Sequence, residues 1–192
     1  MSTKAIIGSL SKEYANPMCK LGRLVKEGKY TPIIRGSYET DPNTSGYLLS
    51  TIYSPSYLSF EYALSRYGLI PEAVFEYTSA SYGKNRTKEY RTSFGVFTYR
   101  DVPKNVFPIG VRLIEEGDYC YWMATPEKAL CDQLYSMKPI EGKRYLEEIL
   151  FDDLRLYAKG LDEMDVSMIS RLSKGYRCKN VSYLDDYLRS RR

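Results

Sequence analysis

Apolar positions recur at helical spacing first in Met18, Leu21, Leu24 and Val25. Asn16 stands where it caps such a helix, and Pro17 takes the first helical position, where a missing N–H costs nothing. Gly28 is placed to stop it. Only fifteen residues precede Asn16, with room for one short helix around 10–15. After the helix, Tyr30-Thr31-Pro32-Ile33-Ile34-Arg35-Gly36-Ser37-Tyr38 reads as an extended ribbon turning at Arg35-Gly36. Residues 40–54 form a loop-rich boundary. Pro55-Ser56 then predicts the opening of a helix that carries Tyr57, Leu58, Phe60, Ala63 and Leu64 and ends at Gly68. Beyond Pro71 the texture changes to short runs rich in aromatic and β-branched residues, at 74–78, 90–94, 96–99, 109–114 and 119–123. Turn chemistry separates them at Gly83-Lys84-Asn85, Pro103-Lys104-Asn105 and Glu116-Gly117. Five neighbouring short strands predict a mostly antiparallel sheet.

Thr125-Pro126-Glu127 marks another helix start, with Thr as cap, Pro first and an acid near the positive end of the dipole. Leu130, Leu134 and Met137 give it an apolar face. Further helices follow over 144–159, 165–174 and 181–189, with stripes such as Leu146/Ile149/Leu150 and Val181/Leu184/Leu188. The expected fold is α+β. A small winged-helix-like unit over 1–40 precedes a domain over 41–192, with its sheet at about 72–124 and helices at about 126–190.

Charge sharpens this division. The net +4 of the chain resolves into +4 over 1–40, −5 over 41–170 and +5 over 171–192, which suggests an anionic partner at the ends. Lys20, Arg23 and Lys26 fall away from the apolar stripe of the first helix, with Lys29 just after it and Arg35 at the ribbon's turn. A basic amphipathic helix leading into a small hairpin has the order of a recognition helix and its wing, where cations meet phosphates. A complete three-helix module needs about 30 more residues ahead of that helix, so the unit reads as shortened. Arg171, Lys174, Arg177 and Lys179 form a second basic patch. Twenty tyrosines against six phenylalanines suit partly exposed cores and also stacking on bases.

Candidate catalysts are few. With no histidine there is no Ser-His-Asp triad, no Cys-His pair and no His-ligated metal. The four cysteines lack a C-x-x-C pair, so a zinc site is not expected. No glycine-rich phosphate loop occurs. The doublets Glu115-Glu116, Glu147-Glu148, Asp152-Asp153 and Asp185-Asp186 point about 100° apart on a helix and read as solvated faces. Glu127-Lys128 and Glu89 do not fit the spaced acids and lysine of a metal nuclease. No catalytic site, cofactor or metal is expected. The longest apolar run, 119–124, is far short of the ~20 residues of a membrane span. No secretory signal opens the chain, and the reading places it in the cytoplasm.

The ordered motifs resemble one known family. Leu24-Val25-Lys26-Glu27-Gly28-Lys29 followed by Ile34-Arg35-Gly36-Ser37-Tyr38 is similar to the recognition helix and wing of AbiEi-type antitoxins. The likeness continues through Ser54-Pro55-Ser56-Tyr57-Leu58-Ser59-Phe60-Glu61-Tyr62-Ala63-Leu64 and Tyr67-Gly68-Leu69-Ile70-Pro71-Glu72. It returns at Gly95-Val96-Phe97-Thr98-Tyr99 and Ala124-Thr125-Pro126-Glu127-Lys128-Ala129-Leu130-Cys131-Asp132, and spans roughly 12–157. The resemblance implies a winged helix that binds operator DNA at the operon's own promoter, with room for a homodimer there. It also implies a C-terminal domain that opposes a co-encoded nucleotidyltransferase-like toxin in phage defence. A regulator with no cognate toxin, and a degenerate nuclease, are the other readings. The neighbouring gene separates the first two, and a metal-dependent cleavage assay separates the third.

Overall fold

A computed structural model describes residues 1–53 and 55–191; Ser54, within the boundary segment and the second motif, and Arg192, within the basic end, lie outside them. The chain begins with α1 (Thr3–Leu10), capped by Ser2 Oγ, which accepts from Ala5 N at 3.2 Å. This helix lies earlier than the expected 10–15. Ser2 supplies the cap, Ile6 is the buried anchor, and residues 11–15 are the exposed turn leading out. α2 (Pro17–Lys26) follows as expected, with Asn16 Oδ1 accepting from Cys19 N at 3.1 Å. β1 (Thr31–Ile34) and β2 (Ser37–Glu39) form an antiparallel hairpin. The start of the chain lies along β2 through a Ser2–Ser37 bridge and Tyr38 N donating to Met1 O.

A 3₁₀ segment (Gly46–Ile52) leads into the main sheet. That sheet comprises β3 (Ser56–Leu58), β4 (Tyr77–Ser81), β5 (Lys88–Thr92), β6 (Gly95–Asp101), β7 (Val111–Glu116) and β8 (Tyr119–Ala124), in the order β5-β6-β4-β3-β8-β7. The β3–β4, β5–β6 and β7–β8 pairs are antiparallel; β4–β6 and β3–β8 are parallel. The fold is thus α+β with a mostly antiparallel sheet packed against helices. One expectation fails at β3. The helix expected from Pro55-Ser56 opens only at Phe60, as α3 (Phe60–Arg66), because Ser56–Leu58 is a strand between β4 and β8. Both faces of such a strand are buried, so it shows no alternation in the sequence. Phe60, at φ 55, makes the corner between strand and helix.

Helices supply the other layer: α4 (Pro126–Ser136), α5 (Arg144–Glu147), α6 (Ala158–Asp162), α7 (Val166–Tyr176) and α8 (Lys179–Ser190). The single helix expected over 144–159 is broken by a π segment (Glu148–Asp153) and by Arg155 at φ 52. The widened turn lets Leu150 and Leu156 both reach the core, and Tyr157 N then donates to Leu69 O at 2.9 Å. The main core lies between the sheet and α3, α4, α7 and α8. A smaller cluster joins Ile33 of the hairpin to Leu49, Phe94, Phe97 and Tyr99. Among the described residues no helix is long and apolar enough to cross a membrane.

Candidate nucleic-acid interface

α2 turns Leu21 and Leu24 inward, at 2% and 8% exposed. Its outer side presents Met18, Cys19, Gly22, Arg23 and Lys26 to solvent. Met18, expected on the apolar stripe, is instead 60% exposed. A helix of ten residues has only one narrow buried seam here, and Met18 falls outside it. Among the described residues nothing beyond its own helix backbone and chain neighbours lies within 4 Å of where a Cβ on Gly22 would sit, so the face is open at this point.

The cations expected to meet phosphate are distributed as follows. Arg23 and Lys26 stand exposed in the last turn of α2. Lys20 is half-buried, its Nζ 4.8 Å from the centroid of the Tyr14 ring in the preceding turn. Lys29 follows Gly28, which at φ 73 breaks the helix, and pairs with Glu27 at 3.2 Å. Both members of that pair are exposed, so water and salt screen it. Arg35 belongs to another element, the hairpin turn, where Gly36 O accepts from Thr3 N at the start of α1. The fold therefore gathers Lys20, Arg23, Lys26 and Lys29 on and just beyond one helix, and places Arg35 on the hairpin that follows.

The second basic patch is a helical corner. Arg171 and Lys174 lie one turn apart on α7, Arg177 ends that helix in the left-handed conformation at φ 51, and Lys179 opens α8. All four are exposed. Among the described residues, none of them forms an ion pair. Of the acid doublets, Asp185 holds Arg189 at 2.8 Å, Asp186 holds Lys143 at 2.5 Å, and Glu116 accepts from the Tyr47 hydroxyl.

One polar constellation escaped the sequence reading. Asp132, fully buried, accepts from four donors. Lys128 Nζ at 2.9 Å and the Tyr176 hydroxyl reach Oδ1; Ser59 Oγ at 2.6 Å and the Tyr57 hydroxyl at 3.0 Å reach Oδ2. Burial, reinforced by the nearby carboxylate, holds the Tyr57 and Tyr176 hydroxyls well above the usual tyrosine range. Lys128, Asp132 and Ser59 are 0% exposed, so the cluster is sealed from any solute. Its evident work is to tie β3, α4 and α7 together. The one sequence signal was the i, i+4 spacing of Lys128 and Asp132. Glu127, read as a helix-start acid, also accepts from Asp165 N at 3.0 Å, just ahead of α7.

No protein-family model matches the chain, and no curated protein matches it either.

Proposed function

We propose that the chain is a non-enzymatic, cytoplasmic DNA-binding autorepressor that also serves as the antitoxin of a phage-defence operon. The observation that carries the DNA half is the exposed outer face of α2, where among the described residues Arg23 and Lys26 form no ion pair, with a hairpin directly after it. In this reading α2 lies against a groove of duplex DNA. Arg23, Lys26 and Lys20 approach phosphates, with Lys29 released from Glu27 to join them. The small surface at Cys19 and Gly22 lets the backbone come close to the base edges. Arg35 on the hairpin takes a neighbouring phosphate, as a wing does. Arg171, Lys174, Arg177 and Lys179 offer a second face to the same polyanion. The antitoxin half, directed at a nucleotidyltransferase-like toxin, rests on the resemblance to AbiEi-type antitoxins.

The two halves are tested separately. Binding to duplex DNA from upstream of its own gene is expected to fall steeply with salt. Five phosphate-facing cations give a slope of about −4 to −5 in log K against log salt. A complex insensitive to salt contradicts this binding mode. Co-expression with the adjacent gene is expected to rescue growth, and an adjacent product that is harmless alone removes the antitoxin half while leaving the DNA half standing.

A further inference from the structure

The two ends of the six-stranded sheet are finished differently. β5 has β1 of the N-terminal hairpin packed beside it, whereas β7 closes the other end, with no strand beyond it among the described residues. A bare edge is a template for another chain unless it is covered or blunted. β7 runs six residues without proline, and one of its faces carries Val111, Leu113 and Glu115. Leu113, 44% exposed, lies directly opposite Trp122, 46% exposed. Val111 and Cys120 continue that face into a cleft of about 500 Å³ under Phe107 and Pro108.

Glu116 and Tyr119 pair across a two-residue turn in which Gly117 has φ 59. The pair closing such a turn exchanges both its hydrogen bonds, and the pairing alternates from there. The peptide groups of Val111, Leu113 and Glu115 therefore face away from β8, ready for a further strand.

We infer that a second copy of this chain pairs with β7, antiparallel, about a two-fold axis at Ile114. The axis is chosen by charge. With the axis at Ile114, Arg112 faces Glu116 of the second copy, and the contact occurs twice. Both contacts fall at non-hydrogen-bonded positions, where Cα atoms approach to ~4.5 Å and side chains meet most closely. Moving the axis to Leu113 sets Arg112 against Ile114 and Glu115 against Val111, with no charge answered. Arg112 makes no ion pair within its own chain among the described residues. Leu113 then faces Glu115 of the second copy, Leu113 and its symmetry mate are diagonal neighbours on that face, and Trp122 lies beside Leu113 one strand further out. Two six-stranded sheets become one of twelve, within the range of known open sheets, with the N-terminal units at its far ends. The contact is isologous and closes on itself. It stands independently of the DNA reading.

The test uses the full chain alone. Analytical ultracentrifugation across micromolar concentrations is expected to give twice the 22.2 kDa chain mass. The emission of Trp122, the only tryptophan, is expected to shift to the blue as dimer forms. Arg112→Glu, at an exposed position, is expected to raise the dimer Kd by about tenfold or more, since two cross-strand attractions become repulsions. Glu116→Arg is expected to do the same. An equimolar mixture of the two variants is expected to recover the dimer, because each finds the opposite charge in the other. Thermal melts are expected to show that both variants stay folded, a check that matters for Glu116 because it accepts from the Tyr47 hydroxyl. A monomer at every concentration, a dimer that Arg112→Glu leaves intact, or folded variants whose mixture stays monomeric each overturns the inference.

Discussion

Asp132 shows at a single residue how much of this fold depends on partners far away in sequence. Its donors come from Tyr57, Ser59, Lys128 and Tyr176. Removing one side of a buried ion pair leaves an uncompensated charge, at a cost of about 3–5 kcal/mol. Lys128→Met is therefore expected to lower unfolding stability by that amount in urea titrations. Lys128→Met with Asp132→Leu is expected to cost less than the two single changes added together; strict additivity contradicts a coupled pair. The buried tyrosines make a second prediction. Burial raises Tyr57, Tyr62, Tyr99 and Tyr176 above the ordinary value of 10.0. The folded state keeps protons that the unfolded state gives up above that pH, so this stability is intact below about pH 10 and drains away as pH rises beyond it. Urea midpoints at about pH 8 and about pH 11, read with tyrosinate absorbance, test the point. Ordinary titration of all twenty tyrosines with an unchanged midpoint contradicts it. None of this was legible beforehand, because a charged pair in a helix pattern looks solvated until residues 44 or more positions away close over it.

Among the elements, those marked by local chemistry were the ones the sequence pattern revealed. Asn16-Pro17 and Thr125-Pro126 start α2 and α4, and their side-chain oxygens accept from Cys19 N and Lys128 N. The elements that depend on non-local burial were misplaced. Ser56–Leu58 is a strand only because β4 and β8 flank it, and the helix over 144–159 breaks only because Leu150 and Leu156 must both face the core. β4 was displaced by three residues because its buried members Ser79, Ala80 and Ser81 are small and mostly polar. Gly46 is another such position. A Cβ there would stand 2.2 Å from Tyr77 Cε2 and 2.3 Å from Phe94 O, and a backbone oxygen cannot step aside. Gly46→Ala is expected to cost about 1–3 kcal/mol by overpacking, visible as a lower denaturant midpoint. A variant as stable as the parent contradicts the close approach of the 3₁₀ segment to the sheet.

Across the whole molecule, a buried cluster joins the basic N-terminal unit to the larger domain, Ile33 with Leu49, Phe94, Phe97 and Tyr99. Arg23 and Lys26 of α2 stand in solvent. Packing and charge can therefore be separated by substitution. The candidate interface was largely legible, since Arg23 and Lys26 were placed outward by helical period alone. The exposure of Met18 and the docking of the Arg35 turn on α1 needed the three-dimensional fold. The central claim, that the outer face of α2 binds DNA, is tested most directly by Arg23→Glu with Lys26→Glu in the full chain. Both sites are exposed, so the folding cost is expected to stay within about 0.5 kcal/mol per site. Each reversal replaces attraction to phosphate with repulsion. A gel-shift titration on duplex DNA from upstream of its own gene is therefore expected to show affinity reduced by well over tenfold, with the melting curve of the protein unchanged. A folded double variant that binds this DNA as tightly as the parent contradicts the account.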